Sequence, residues 1–277
     1  MNNTPSWGRY SELRPHELAA LRARAPAAYL PWGGLICHGP HLPLGLDTII
    51  AEAIAERAVR RTGGVVLPAI TWPLAMPHPG ESLGLSATTL RAILAESLAE
   101  LAKHGWRVIV VISGSYSPGQ ELLLIGAAEQ ALANHRLLVL AVPPLALVDD
   151  EMLDHGALWE SSVLLALRPD LIHMEALGAG PLDRLNHPVV GRDPRGAASA
   201  SLGNSVLNLA LERISSAVEH LLASGDPAPL QALYARRREY YRRLTARYGD
   251  DLEALTAAWW QEVTGRGPAA PRSPKTG

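Results

Sequence analysis

Cysteine is nearly absent from this chain, with one residue, Cys37, in 277. A single thiol excludes an internal disulfide and any metal site that needs two thiolates from one chain, and it fits a reducing, cytoplasmic setting. An excess of one charge sign is missing too, with 25 basic against 27 acidic residues. The chain therefore has no electrostatic footprint for nucleic acid or an anionic membrane, and near-neutrality favours self-association over repulsion. No run reaches the roughly 18 uninterrupted apolar residues of a spanning helix. The opening MNNTPSWGRYSELRPHELAALRARAP places Arg and Glu where a secretory signal needs an apolar stretch of about seven or more, so no such signal is expected. Phenylalanine is wholly absent, a bias of codon usage that carries no functional reading.

What is present is 48% hydrophobic sequence, arranged as short apolar runs that alternate with longer amphipathic stretches. That pattern predicts an α/β fold with buried parallel strands joined by helices. The expected strands are 28–35, 64–70, 107–113, 137–143 and 171–175, with helices near 47–62, 87–104, 119–134 and 157–167. A leader helix within 1–27 precedes the main domain, 28–225. A helical extension, 226–264, follows as one Arg- and Tyr-rich helix over 228–263, packed by one face on the body or on a second subunit. The last residues, 265–277, have the composition of a disordered tail.

In open parallel sheets ligands bind beyond the carboxyl ends of the strands. WRVIVVISGSYSPG runs from an apolar strand into a polar turn, which places Ser113, Ser115, Tyr116 and Ser117 at a candidate site. Without a GxSxG elbow these serines read as substrate hydrogen-bonding groups, not as a triad nucleophile. The segment PWGGLICHGPHLPLGLDT (31–48) gathers Cys37, His38, His41 and Asp47 between turns that prevent a helix. Cys37 adjoins His38, and neighbours on an extended chain point to opposite faces. A small buried side chain is therefore expected there in place of a thiolate nucleophile. His41 reads as a structural hydrogen-bonder.

HGPHLPLGLD resembles the signature of the creatininase (creatinine amidohydrolase) family, approximately PxGSxEQHGPHLPLxTD. Further similarities follow in the same order: LAKHGWRVIVVISG, DHGALWESSVLLALRPDL (154–171) and GRDPRGAASASLG (191–203). The resemblance spans about 28–223. It implies a three-layer α/β/α protein with a mostly parallel sheet, commonly a homo-oligomer, that hydrolyses amide or cyclic amide bonds of small molecules with a pair of divalent metals.

Carried over residue by residue, the resemblance gives a depleted metal centre. The family's first Glu ligand is Ile36 here, its strand-end His is Ser115 and a further Glu is Ser117, while Tyr116 keeps a Tyr. His38 and Asp47 match the retained His and the bridging Asp. His155 matches a pocket His, and Glu160 the Glu of the ETS triplet. A binuclear centre is therefore not expected, and no cofactor is the favoured reading. One divalent metal (Zn, Mn or Fe) on His38, Asp47 and Glu160 stays open, because such ions usually take three or four protein ligands. The expected catalytic groups are His38, Asp47, His155 and Glu160, acting as acids and bases. Cys37, His78, Ser115, Tyr116, Ser117 and Trp159 are the expected substrate-binding groups. Loss of the water-activating metals suits a cyclisation or condensation of an amide- or amine-bearing metabolite. The alternatives are mononuclear hydrolysis and a catalytically inactive pseudoenzyme that binds a partner.

Overall fold

The computed structural model describes residues 6–76, 81–182 and 189–265. Five strands, β1 (Trp7–Arg9), β2 (Ala27–Trp32), β3 (Gly64–Val66), β4 (Val108–Ser113) and β5 (Leu138–Val142), form one sheet in the order β1-β3-β2-β4-β5. Every pairing is parallel. Parallel strands need crossovers of a dozen or more residues, which the helices supply. These are α1 (Pro15–Arg24), α2 (Leu46–Thr62), α3 (Ala87–Lys103), α4 (Pro118–His135), α5 (Leu158–Leu167) and α6 (Ala200–Ser224).

Val108 to Ile112 of β4 are all buried, as expected of a central strand covered on both faces. Helices α2, α5 and α6 pack together on one face, and α3 and α4 pack together on the other. From β2 the chain crosses to β3 on one side, whereas β2's other neighbour is β4. The connections therefore diverge between β2 and β4, and this switch point opens a crevice beyond their carboxyl ends.

Several expected elements differ. The leader is more than a helix, because Trp7–Arg9 pairs with β3 and extends the sheet. Residues 171–175 form no strand. Short 3-10 turns at Pro169–Leu171 and Met174–Leu177 take their place, and Leu171 and Ile172 bury only part of their surface. The extension is three helices: α7 (Ala228–Tyr240), α8 (Arg242–Tyr248) and α9 (Leu252–Thr264). Gly249, at φ +56, ends α8, and Asp251 caps α9 by accepting from the Ala254 amide at 3.0 Å. The extension packs on its own chain's body. The Tyr234 hydroxyl bonds the Val139 carbonyl and the Ala141 amide, covering the exposed edge of β5. Almost all of the expected tail, 266–277, lies outside the described residues.

Candidate active site

Three segments meet at the switch point. One leaves β2 and carries Cys37, His38 and, in the first turn of α2, Asp47. One leaves β4 through Ser113–Ser117, and one enters α5 through Asp154–Glu160. Two glycines let them close. A Cβ on Gly114 would lie 2.1 Å from the Asp47 carbonyl oxygen, and one on Gly156, at φ +63, would lie 2.3 Å from that of His38. Any side chain at either position would push the segments apart.

His38 sits at the centre. Its Nδ1 donates to the Ile36 carbonyl at 2.9 Å, which aims Nε2 at two carboxylates, Asp47 Oδ1 at 2.9 Å and Glu160 Oε2 at 3.8 Å. All three side chains are buried. His155 stacks on His38 with ring centroids 4.3 Å apart, and its Nε2 donates to the Cys37 carbonyl at 3.0 Å. Two backbone bonds of 2.8 Å to Val190 fix His155 from behind. Glu160 Oε2 accepts from the Gly156 amide at 2.6 Å. Asp154 accepts from the Trp159 and Glu160 amides at 2.7 and 3.2 Å, supplying the cap that Ala157 cannot give α5.

Burial sets the electrostatics. Desolvation alone would drive a proton off His38, but Asp47 and Glu160 together outweigh it and raise the imidazole to about 9. Desolvation pushes Glu160 well above the usual carboxylate range, against the pull of His38, and pushes Asp154 up to about 7. No Lys or Arg among the described residues pairs with Asp47, Asp154 or Glu160. Three carboxyl groups thus share a dry space with one imidazole as counter-charge. Asp47 meets no hydrogen-bond partner among the described residues beyond its contact with His38, and the buried Tyr116 hydroxyl beside this cluster has none.

The structure thus brings together the four expected catalytic groups, with Tyr116 close enough for Glu160, Asp154 and Asp47 to raise its phenol further. The other candidates take different places. Cys37 is buried, its thiol is pushed up by desolvation, and its carbonyl is what serves His155. Ser115 is buried, and its carbonyl accepts from the Ser113 hydroxyl at 2.9 Å. Ser117 caps α4 by accepting from the Gln120 amide. Trp159 is half-buried against the core. His41 bonds Ser161 at 3.1 Å, as a structural histidine would. His78 lies outside the described residues.

Two residues were missed. Asp154 precedes the His of the late motif, and its only sequence signal is that of a capping residue before α5. Trp260, on α9, meets the His155 ring edge-on at 4.9 Å and is buried. Its one signal is the helical spacing of Leu252, Leu255, Thr256 and Trp260.

The donor set answers whether metals fit. Ile36 offers no donor atom, and Ser117 is engaged as a cap. One ion does fit: ligand-capable atoms of His38, His155 and Glu160 all lie within 4.8 Å of one another. Asp47, which the sequence placed in that set instead of His155, stands beside it through His38.

An all-parallel sheet between two helical layers, with a buried imidazole–carboxylate cluster at its switch point, defines a three-layer α/β protein with an amidohydrolase-like site. The chain belongs to the creatininase family. The model for creatininase, creatinine amidohydrolase, matches residues 11–218. The creatinine amidohydrolase of Pseudomonas putida is 24% identical over 227 residues, covering 68% of this chain and 87% of that protein. The mycofactocin precursor peptide peptidase of Mycolicibacterium smegmatis is 29% identical over 168 residues, covering 58% of this chain and 65% of that protein. A crystal structure of creatininase superposes with a TM-score of 0.68 at 22% identity, covering 79% of this chain and 98% of that one. Solved creatininases also include a zinc–zinc form and a manganese form. The family match ends before α7, α8 and α9 begin.

Proposed function

We propose that this chain hydrolyses a carbon–nitrogen bond of a small amide or lactam, with one divalent cation held by His38, His155 and Glu160. The convergence of these three ligand atoms, in a site with three buried carboxyl groups and no Lys or Arg counter-charge among the described residues, carries the reading. Three protein ligands leave a position open, as catalytic sites require. When bound, the ion would polarise the substrate carbonyl and make water acidic enough to attack at neutral pH.

The chain's own groups supply the rest. The Tyr116 hydroxyl, which no partner among the described residues engages, donates to the substrate's carbonyl oxygen. Once His38 Nε2 is engaged, Asp47 has no other donor among the described residues. It takes one proton from the attacking water as the new C–O bond forms. It returns that proton to the leaving nitrogen as the C–N bond breaks, so the carboxylate is regenerated. Asp47 lies in the first turn of α2, where the helix dipole favours its negative charge. Asp154 holds Glu160 in place through the capped start of α5.

A second reading rests on the direct 2.9 Å contact of His38 with Asp47. That pair balances its own charge and keeps the imidazole protonated at neutral pH. It would serve a metal-free acid–base reaction, such as a cyclisation or condensation. Screening creatinine, small lactams and short peptide amides with Zn- or Mn-loaded protein tests the primary reading. His38→Ala and Glu160→Gln should each cut turnover by about 100-fold or more. Full turnover in both variants would sink the assignment of the site, and turnover without any bound ion would favour the second reading.

A further inference from the structure

The extension beyond residue 218 reaches the site. Helix α9 is tied to the same end of the sheet by two hydrogen bonds. The Gly119 amide, in the first turn of α4, donates to Thr256 Oγ1 at 3.1 Å, and the Ala87 amide, at the start of α3, donates to Glu253 Oε1 at 2.7 Å. Both amides belong to helix first turns, whose donors have no partner inside their own helix. Close approach is built in at Gly119, where a Cβ would stand 2.1 Å from Thr256 Oγ1 and 2.6 Å from the Leu74 side chain. Farther back, Arg237 of α7 is fully buried against Glu121 of α4. The extension is thus held at both ends, and Trp260 sits one to two turns beyond Glu253 and Thr256, edge-on to His155.

Resting on the amidohydrolase reading, we infer that Trp260 is the wall that limits substrate size at His155, restricting the site to small, flat amides and lactams. The indole is rigid, is 3% exposed and covers one of the proposed metal-binding imidazoles. Its ring stands at 81° to that of His155. A larger acyl or amine group on the substrate would have to displace a side chain whose helix is held by the Ala87 and Gly119 amides.

The test uses the full chain with Trp260→Ala and Trp260→Phe, and has a readout that needs neither substrate nor metal. Metal-free protein is treated with diethylpyrocarbonate, and modification of each histidine is followed by peptide mass mapping. His155 should react about 10-fold faster in Trp260→Ala, with Trp260→Phe between. Buried His41 should stay protected and exposed His104 unchanged, which separates an opened wall from a loosened fold. In the loaded enzyme, Trp260→Ala should raise by about 10-fold the ratio of kcat/KM for a tripeptide amide to that for a small lactam. Unchanged His155 reactivity overturns the inference, and so does faster reaction with an unchanged ratio. If no protein, wild type included, turns over any amide, the amidohydrolase reading fails, and faster modification of His155 alone still upholds the wall.

Discussion

Replacing Arg237 with leucine tests how the extension is held to the body. Arg237 and Glu121 are both fully buried. The guanidinium binds Glu121 through Nε and Nη2, the latter at 2.9 Å, reaches Asp150 through Nη1 and lies 3.3 Å from the Tyr241 hydroxyl. Tyr241 in turn donates to Glu121 Oε2 at 2.8 Å. Without Arg237, Glu121 keeps one neutral donor and no counter-charge. Breaking a buried pair from one side costs about 3–5 kcal/mol, because a charge is left in low dielectric. Set against a total stability of about 5–15 kcal/mol, that loss should lower Tm by about 10 °C. The double variant Glu121→Leu/Arg237→Leu removes both charges, and should recover most of the loss in urea unfolding. A loss below about 1 kcal/mol in Arg237→Leu, or a double variant no better than the single, would refute the reasoning.

Tyr116→Phe should leave stability unchanged or raise it by about 1–2 kcal/mol, since it removes an unsatisfied buried hydroxyl. The same change should cut kcat by about 100-fold on any amide the wild type turns over. A destabilised but fully active variant would show the hydroxyl to be structural. His41 gives a pH signature: burial, then the charge of His38, lowers its imidazole from 6.5 to about 4. Between those values the unfolded chain takes up a proton that the folded chain refuses. Its contribution is therefore complete above about pH 6.5 and is lost as pH falls towards 4. Allowing for solvent screening, the loss is about 2 kcal/mol. His41→Gln should flatten the difference between urea midpoints at pH 7 and pH 4.5, and an unchanged slope would place that acid sensitivity elsewhere.

The parts of the fold legible in the sequence are those fixed by local pattern. Residues 108–112 announce β4 because a strand covered on both faces must be apolar throughout. Asp47, His38, His155 and Glu160 were legible because the motifs that carry them resemble those of the creatininase family. Trp7–Arg9 was hidden because a three-residue edge strand needs no apolar run, only a neighbour such as β3. The breaks in 228–263 depend on backbone conformation at Gly249 and on the Asp251 cap, which an amphipathic pattern passes over. Trp260 was out of reach for another reason. Its place against His155 comes from contacts of α9 with the starts of α3 and α4, more than a hundred residues away in sequence. The exchange of Asp47 for His155 in the compact ligand group likewise follows from the stacking of two imidazoles, which no spacing encodes.

The proposed single-cation site is tested most directly by metal content. Purified protein, loaded with Zn or Mn and desalted, is measured by elemental mass spectrometry beside His38→Ala, His155→Ala and Glu160→Gln. The account predicts about one tightly held ion per chain in the wild type and its loss in each variant. No ion under any loading, or an ion retained in all three variants, would contradict it.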